Sequence, residues 1–307
     1  MDPRVSIVIP TQRRPAGLAV ALRSALAQTG VDPAALELIV ADNDRQPSAR
    51  FAVEAAARAA PFPVIYVHEP EPGVANVRNA ALAAARGELI AFLDDDQEAP
   101  EGWLAALLAA RERYDGDVVF GPVRARAPAD VIVHRAYLER FFSRLGPAEA
   151  GVIPGYYGCG DSLIRRASLP DAAAPFAVER NHIGGEDDLL FGHMQAAGAR
   201  FVWAPAAFVW EDPVPERLTL AYTLRRAFAY GQGPSEHCAS RSPPDWPGVA
   251  RWMVIGLAQA AAFGALAAIK WLLGAPDRAD ALDRAARGLG KTLWWSAFKI
   301  GFYGRAA

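Results

Sequence analysis

Four short apolar runs punctuate the chain up to residue 93, and amphipathic segments lie between them. Val5 to Ile9, Leu38 to Ala41, Pro63 to Val67 and Leu89 to Leu93 read as buried strands. Pro15 to Gln28 sets Leu18, Ala21, Leu22, Ala25 and Leu26 along one helical face. An alanine-rich helix covers roughly Ser48 to Ala60, and a third runs from Val74 to Ala85. The order βαβαβαβ predicts an α/β fold with a parallel sheet and helical crossovers. Beyond it, the pattern predicts a helix from Trp103 to Tyr114, a strand from Asp117 to Val123 and a helix from Val131 to Phe142. Gly151 to Gly160, rich in Gly and Tyr, reads as irregular cleft lining, followed by a short strand from Ser162 to Arg165. Gly184-Gly185 opens a helix at Glu186-Asp187-Asp188; strands follow at Arg200 to Trp203 and Ala207 to Trp210, then a helix from Pro215 to Tyr230.

The strand ends carry the chemistry. Asp94-Asp95-Asp96 closes the fourth strand, at the edge where open α/β sheets bind ligands. Adjacent carboxylates repel, and a hard divalent cation relieves that repulsion while holding substrate phosphates; a solvated loop or helix cap is the alternative. The same edge collects the turn from Thr11 to Arg14, the group Asp42 to Asp44 and the segment Glu69 to Arg78. Gly73 precedes the helix bearing Arg78 and Asn79, whose N-terminal amides would complement Arg78 at a phosphate. With no GxGxxG after the first strand and no GxxxxGK[ST] loop, dinucleotide oxidoreductases and P-loop NTPases lose their main support.

Composition changes the picture mainly at the C-terminus. The 307 residues are 52% hydrophobic with a net charge of −2, which gives no reason to expect a nucleic-acid partner. Residues 251 to 307 carry eight Lys or Arg against three Asp, net +5, leaving −7 for the rest. Cys159 and Cys238 are too far apart for a metal knuckle and too few for a disulfide scaffold, so a reducing compartment is expected. The first strand starts too early for a signal peptide. Pro234 to Pro247, with four prolines, reads as a linker. After it, Trp252 to Ile269 is uncharged between Arg251 and Lys270, about 27 Å as a helix and flanked by Trp252 and Trp271. With Lys291, Trp294, Trp295, Lys299 and Tyr303 following, the tail is expected to contact a membrane, interfacially or re-entrantly in preference to spanning it. An ordinary helical subdomain is the alternative.

Five motifs in order, Val5 to Thr11, the turn at Asp42, Gly73 with Arg78-Asn79, Phe92 to Asp96, and Gly184 to Asp187, resemble the inverting glycosyltransferases of family 2. The resemblance covers about residues 5 to 215 and is nearest to bacterial exopolysaccharide enzymes, the succinoglycan-type glucosyltransferases. It implies a GT-A fold, a Rossmann-like mixed sheet flanked by helices, with a helical, membrane-associating C-terminal extension. The implied partition is a catalytic domain at 1–233, with a nucleotide-sugar half at about 1–123 and an acceptor half at about 124–233, a linker at 234–247 and the tail at 248–307.

Residue by residue, the resemblance implies that Pro10, Thr11, Asp42, Arg78, Asp94 and Asp95 bind the nucleotide-sugar, with Asp42 at the uracil or ribose. Asp96, with Asp94, would hold Mg2+ or Mn2+, and Glu211 would contact metal or diphosphate where many relatives carry a histidine. Asp187 would be the general base and Glu186 its neighbour at the acceptor hydroxyl, with Tyr157, Asp161 and His182 on the acceptor side. The expected partners are a UDP-sugar, glucose for choice, a lipid-linked saccharide, the cytoplasmic face of the inner membrane and polysaccharide assembly proteins. A soluble or protein acceptor, a dTDP- or GDP-sugar donor, a nucleotidyltransferase and an inactive assembly subunit are the competing expectations.

Overall fold

The computed structural model describes residues 3–172, 174–181 and 184–300. The first four strands are Val5–Thr11 (β1), Leu36–Asp42 (β2), Val64–His68 (β3) and Leu89–Phe92 (β4). β1 runs parallel to both β2 and β4, and β2 runs parallel to β3. Gln97–Glu98 (β5), Val118–Phe120 (β6), Val123–Ala125 (β7), Gly151–Ile153 (β8), Ser162–Arg165 (β9), Phe201–Trp203 (β10) and Val209–Glu211 (β11) follow. The main sheet has the order β3-β2-β1-β4-β9-β6-β10-β8, and a small sheet has the order β5-β11-β7. Because β9 lies antiparallel to β4 and β6, and β8 antiparallel to β10, the main sheet is mixed.

Both faces of this sheet are covered, which is why its strands are continuous apolar runs without a polar face. Ile7, Ile9, Leu38 and Ala91 pack beneath Pro15–Leu26 (α1) and Trp103–Tyr114 (α4), with Leu18, Leu22, Trp103 and Leu107 filling the layer. Val8, Ile39, Ile90 and Phe92 point the other way, onto Val74–Ala84 (α3) and Glu186–Ala196 (α6), against Leu82, Phe191 and Met194. Each such aliphatic or phenyl side chain contributes about 1.5–3 kcal/mol on burial. Arg50–Ala57 (α2) is shorter than the alanine pattern suggests.

Other departures have local causes. The expected strand from Asp117 to Val123 breaks at Gly121-Pro122, where a Cβ on Gly121 would lie 1.9 Å from the Ala207 carbonyl oxygen and Pro122 lacks an N–H for the ladder. Its second half, β7, joins the small sheet. The helix expected from Val131 begins only at Arg135 and ends at Phe142 (α5). Pro215–Arg217 is a separate 3-10 turn, after which Thr219 Oγ1 accepts from Tyr222 N (3.2 Å) and starts Leu220–Ala239 (α7). α7 passes straight through Pro234, so the expected linker shrinks to residues 240–245. Asp245 then caps Trp246–Leu272 (α8) by accepting from Gly248 N at 2.9 Å.

The chain divides into two compact units, Met1–Arg124 with Ser143–Asp212, and Ala125–Phe142 with Pro213–Ala307. The first unit ends at Asp212. In the second unit, Arg278–Thr292 (α9) packs along both α7 and α8, and buried Asp283 accepts from Arg287 Nε (2.7 Å) and Tyr137 Oη (3.3 Å). α8 is long and apolar enough to cross a membrane by length and composition, and only 17% of its most apolar 18-residue window is buried.

Candidate active site

The three carboxylates after β4 go to three places. Asp95 turns inward, 6% exposed, and accepts from Thr11 Oγ1 (2.8 Å), Gln12 N (3.4 Å) and Arg14 Nη1 (3.0 Å). These bonds fix the turn after β1 and engage the Thr11 hydroxyl with it. Asp96 is more open and meets the same Arg14 Nη1 through Oδ2 at 2.6 Å. Asp94 lies against Gly160, where a Cβ would sit 2.1 Å from its Oδ2. Burial pushes the Asp94 carboxyl up to about 6; Arg78 opposes the shift, and Asp96 and Asp95 add to it. Glu211, paired in register with Gln97, is pushed up to about 8 by burial and then by Asp96 and Asp94.

Among the described residues, no group of three or more His, Cys, Asp or Glu side chains is set to hold a metal ion by itself. A Mg2+-type ion in a phosphate-transfer site needs less, one or two carboxylates completed by substrate oxygens. Asp94 and Asp96, with Glu211 alongside, are hard oxygen donors whose crowding raises the affinity of Asp94 and Glu211 for protons. That surplus of negative charge fits a divalent cation.

At the start of α6, Gly184 (φ 81°) and Gly185 (φ 78°) hold the left-handed backbone that glycine tolerates, which aims Glu186, Asp187 and Asp188 from the first helical turn. Asp187 is half-buried, with Oδ2 accepting from Cys159 N (3.1 Å) and Oδ1 from Asp188 N (2.9 Å). Glu186 is taken up differently. Arg78 Nη1 donates to its Oε1 at 2.5 Å, and Arg78 Nη2 reaches Asp94 Oδ1 at 3.9 Å. The Arg78 and Glu186 side chains are 8% and 6% exposed, and Phe176 and Phe92 flank the guanidinium. Arg78 is therefore a buried strut between the Asp94 carboxylate and the Glu186-Asp187 pair. Glu186 in turn is held by Arg78 through Oε1.

The nucleotide end is also more committed than its motifs suggest. Asp42 is fully buried, and its carboxylate accepts from Ala49 N (2.7 Å), Tyr66 Oη (2.9 Å) and Asp44 N (3.1 Å). Asn43 Oδ1 accepts from Gly73 N (2.8 Å) and Asn181 Oδ1 from Ala75 N (2.9 Å), so those α3 amides are not free for a phosphate. Pro10, half-buried on β1, and the exposed Gln12 and Arg13 lie nearer the surface, and Arg13 pairs with Asp44 at 2.8 Å.

Two arginines without a motif organise the site. Arg14 binds Asp95 and Asp96 together. Arg144 donates to the carbonyls of Gly121 (3.0 Å), Gly158 (2.8 Å), Gly160 (2.7 Å) and Asp161 (2.9 Å), tying down the loop that touches both Asp94 and Asp187. Asp161, expected at the acceptor, is wholly buried; Trp103 Nε1 donates to its Oδ1 at 2.7 Å and Arg144 lies 3.7 Å from its Oδ2. Tyr157 packs its ring on Trp203 and Phe120 and under Arg144, so it serves the interior more than a sugar. His182 lies outside the described residues.

The glycosyl transferase family 2 model matches residues 6–171. The succinoglycan biosynthesis protein ExoM of Rhizobium meliloti is 38% identical over 230 residues, 74% of this chain and 73% of that protein. The pre-mycofactocin glycosyltransferase of Mycobacterium tuberculosis is 30% identical over 182 residues, 57% of this chain but only 37% of its own length. A mannosyltransferase from Pyrobaculum calidifontis, solved with GDP-mannose and Mn2+, shares the fold at a TM-score of 0.62 and 20% identity, over 96% of this chain and 88% of its own. The family model spans more than half of the chain and the rhizobial protein aligns with nearly three quarters of it, with the mixed sheet and the Asp94 and Asp187 ends in place: the chain belongs to glycosyl transferase family 2.

Proposed function

We propose that this chain is an inverting transferase that moves a hexose, glucose, from UDP-glucose to a hydroxyl of a lipid-linked saccharide at the cytoplasmic face of the inner membrane. The product enters an exopolysaccharide or cell-surface glycan, in company with polysaccharide assembly proteins. The observation that carries this proposal is the Asp94–Arg78–Glu186 chain of contacts, which brings a strand-end acid and the Glu186-Asp187 pair to one locus from 92 residues apart in sequence. Asp187 takes the acceptor proton, and the Cys159 amide holds its carboxylate toward the loop. Arg78 fixes the distance between the donor acid and the base; burial pushes the Glu186 carboxyl up, and Arg78 opposes that shift. Mg2+ or Mn2+ at Asp94 and Asp96 would neutralise charge on the leaving nucleoside diphosphate. The name of the rhizobial relative supports a polysaccharide product, and the Mn2+ in the Pyrobaculum complex supports a metal-assisted reaction.

The test is incubation of the full chain with UDP-, GDP- and dTDP-sugars, Mn2+ and membrane lipid extract, with nucleoside diphosphate release and product mass as readouts. Release of UDP with a lipid-borne product gaining one hexose is expected. Asp187→Asn should bind the donor and fail to transfer; transfer at the unaltered rate would remove the base assignment.

A further inference from the structure

α9 runs antiparallel along α8 for almost its full length. Thr292 Oγ1 donates to the Met253 carbonyl at one end, Lys291 Nζ to Gln259 Oε1 and Gln259 Nε2 to the Arg284 carbonyl in the middle, and Lys270 pairs with Asp277 at the other end. No lipid chain fits between the two helices. A Cβ on Gly256 would lie 2.6 Å from the Gly288 carbonyl oxygen, and one on Gly288 would lie 2.6 Å from Ala260 N. α9 carries Arg278, Asp280, Asp283, Arg284, Arg287 and Lys291 within 15 residues. If α8 crossed a bilayer, it would draw this charged helix into the hydrocarbon with it.

The other face of α8 is different. Val254, Leu257, Ala261, Ile269 and Leu272 recur at helical spacing and are exposed, and no charge interrupts the segment from Trp252 to Ile269. Unlike a span, which is apolar all round, this helix has one apolar face and one face bonded to a charged neighbour. The net charge of +5 on residues 251 to 307 complements an anionic lipid surface. We propose that α8 lies in the plane of an anionic lipid bilayer, with its Val254–Leu257–Ala261–Ile269–Leu272 face in the acyl layer and α9 above it, and does not cross. This deepens the proposed function by stating how the chain meets a membrane-borne acceptor.

Two measurements on the full chain test the proposal, and neither reads sugar transfer. In the first, wild type and Val254→Asp/Leu257→Asp/Ala261→Asp are titrated with vesicles of 30% phosphatidylglycerol in phosphatidylcholine. At least a tenfold loss of vesicle affinity at unchanged helix content and melting temperature is expected, and unchanged affinity overturns the proposal. In the second, sealed inside-out membrane vesicles from cells expressing Arg241→Cys or Pro276→Cys are treated with an impermeant maleimide, Cys159 and Cys238 being buried. Both flanks of α8 should label without detergent. Labelling of one flank only means a span and overturns the proposal, as does a stable dimer that the triple variant dissociates and that binds no vesicles. A chain that binds in-plane but transfers no hexose would sink the proposed function and leave this surface standing.

Discussion

Gly160→Ala tests whether the position of Asp94 governs transfer. The methyl group would arrive 2.1 Å from Asp94 Oδ2, 2.7 Å from Asp94 Cγ and 3.1 Å from Gln97 Nε2. Gly160 is not among the residues with positive φ, so alanine strains no backbone there and the whole effect falls on the carboxylate. To reach ordinary van der Waals contact, Asp94 must retreat by more than about 1 Å. Overpacking of this size costs about 1–3 kcal/mol, and less where a side chain with partial exposure can rotate away, as Asp94 can. The melting temperature should therefore fall by only a few degrees, about 2–4 °C per kcal/mol for a unit of this size.

Function is far less forgiving, since a misplacement of about 1 Å at a reacting centre lowers rates about 100-fold. The assay is steady-state transfer with Mn2+ titrated at fixed donor, alongside a thermal melt of the same preparation. A fall in kcat of roughly two orders of magnitude, a weaker Mn2+ dependence and a nearly unchanged melt are expected. Transfer within about threefold of wild type, with the same Mn2+ midpoint, would show that the Asp94 position is not what the site depends on.

Other perturbations separate stability from chemistry. Arg78→Met strands buried Glu186, which should cost about 3–5 kcal/mol in urea unfolding; Arg78→Met/Glu186→Leu should recover most of that stability but no transfer. A single variant as stable as wild type would mean that the pair is not a strut. Arg144→Lys replaces a planar fork that serves four carbonyls with one ammonium, so kcat should drop roughly 10- to 100-fold with KM for the donor changed less; an unaltered kcat would exclude a positioning role. Burial pushes the Asp161 carboxyl up from 3.8 to about 7, against the opposing influence of Arg144 and Trp103. The folded state thus holds this proton more tightly than the unfolded chain, and the stability gained is complete below pH about 4 and lost as pH rises through about 7. Wild type should therefore lose on the order of 4 kcal/mol relative to Asp161→Asn between those pH values, and a flat difference would mean Asp161 stays ionised throughout.

β1, β2 and β4 were legible because they are covered on both faces, and double burial leaves an unbroken apolar run in the sequence; β3, half-buried at the sheet edge, keeps its run of Val64 to Val67. The antiparallel insertion of β9 between β4 and β6 has no such signature; Ser162 to Arg165 reads as a short strand in either direction, and its direction follows from the path of the chain. The expected linker at Pro234 came from proline count, but one proline inside a 20-residue helix removes a single backbone donor, and the packing of α7 on α9 outweighs that loss.

In the site, acidic residues at strand ends were visible and their partners were not. Asp42, Asp95 and Asp161 carry the same carboxylate as Asp94, Asp96 and Asp187, and in the sequence nothing distinguishes the two groups. The difference is exposure. Asp42, Asp95 and Asp161 are buried, the first two with three protein donors each and Asp161 against Trp103 and Arg144 with its Oδ2 left without a hydrogen bond. Among the described residues, the Asp94 carboxylate meets a single, distant arginine, Asp96 is engaged through one oxygen, and Asp187 keeps partial exposure. Capacity that the protein leaves both unmet and within reach is what a substrate, an ion or a proton in transit can use. The groups that meet them, Ala49 N, Tyr66, Thr11, Arg14, Trp103 and Arg144, come from loops, strands and the start of α4, and all but Thr11 lie outside the five motifs. A motif thus locates acids, and only the residues folded against them decide which remain free for chemistry.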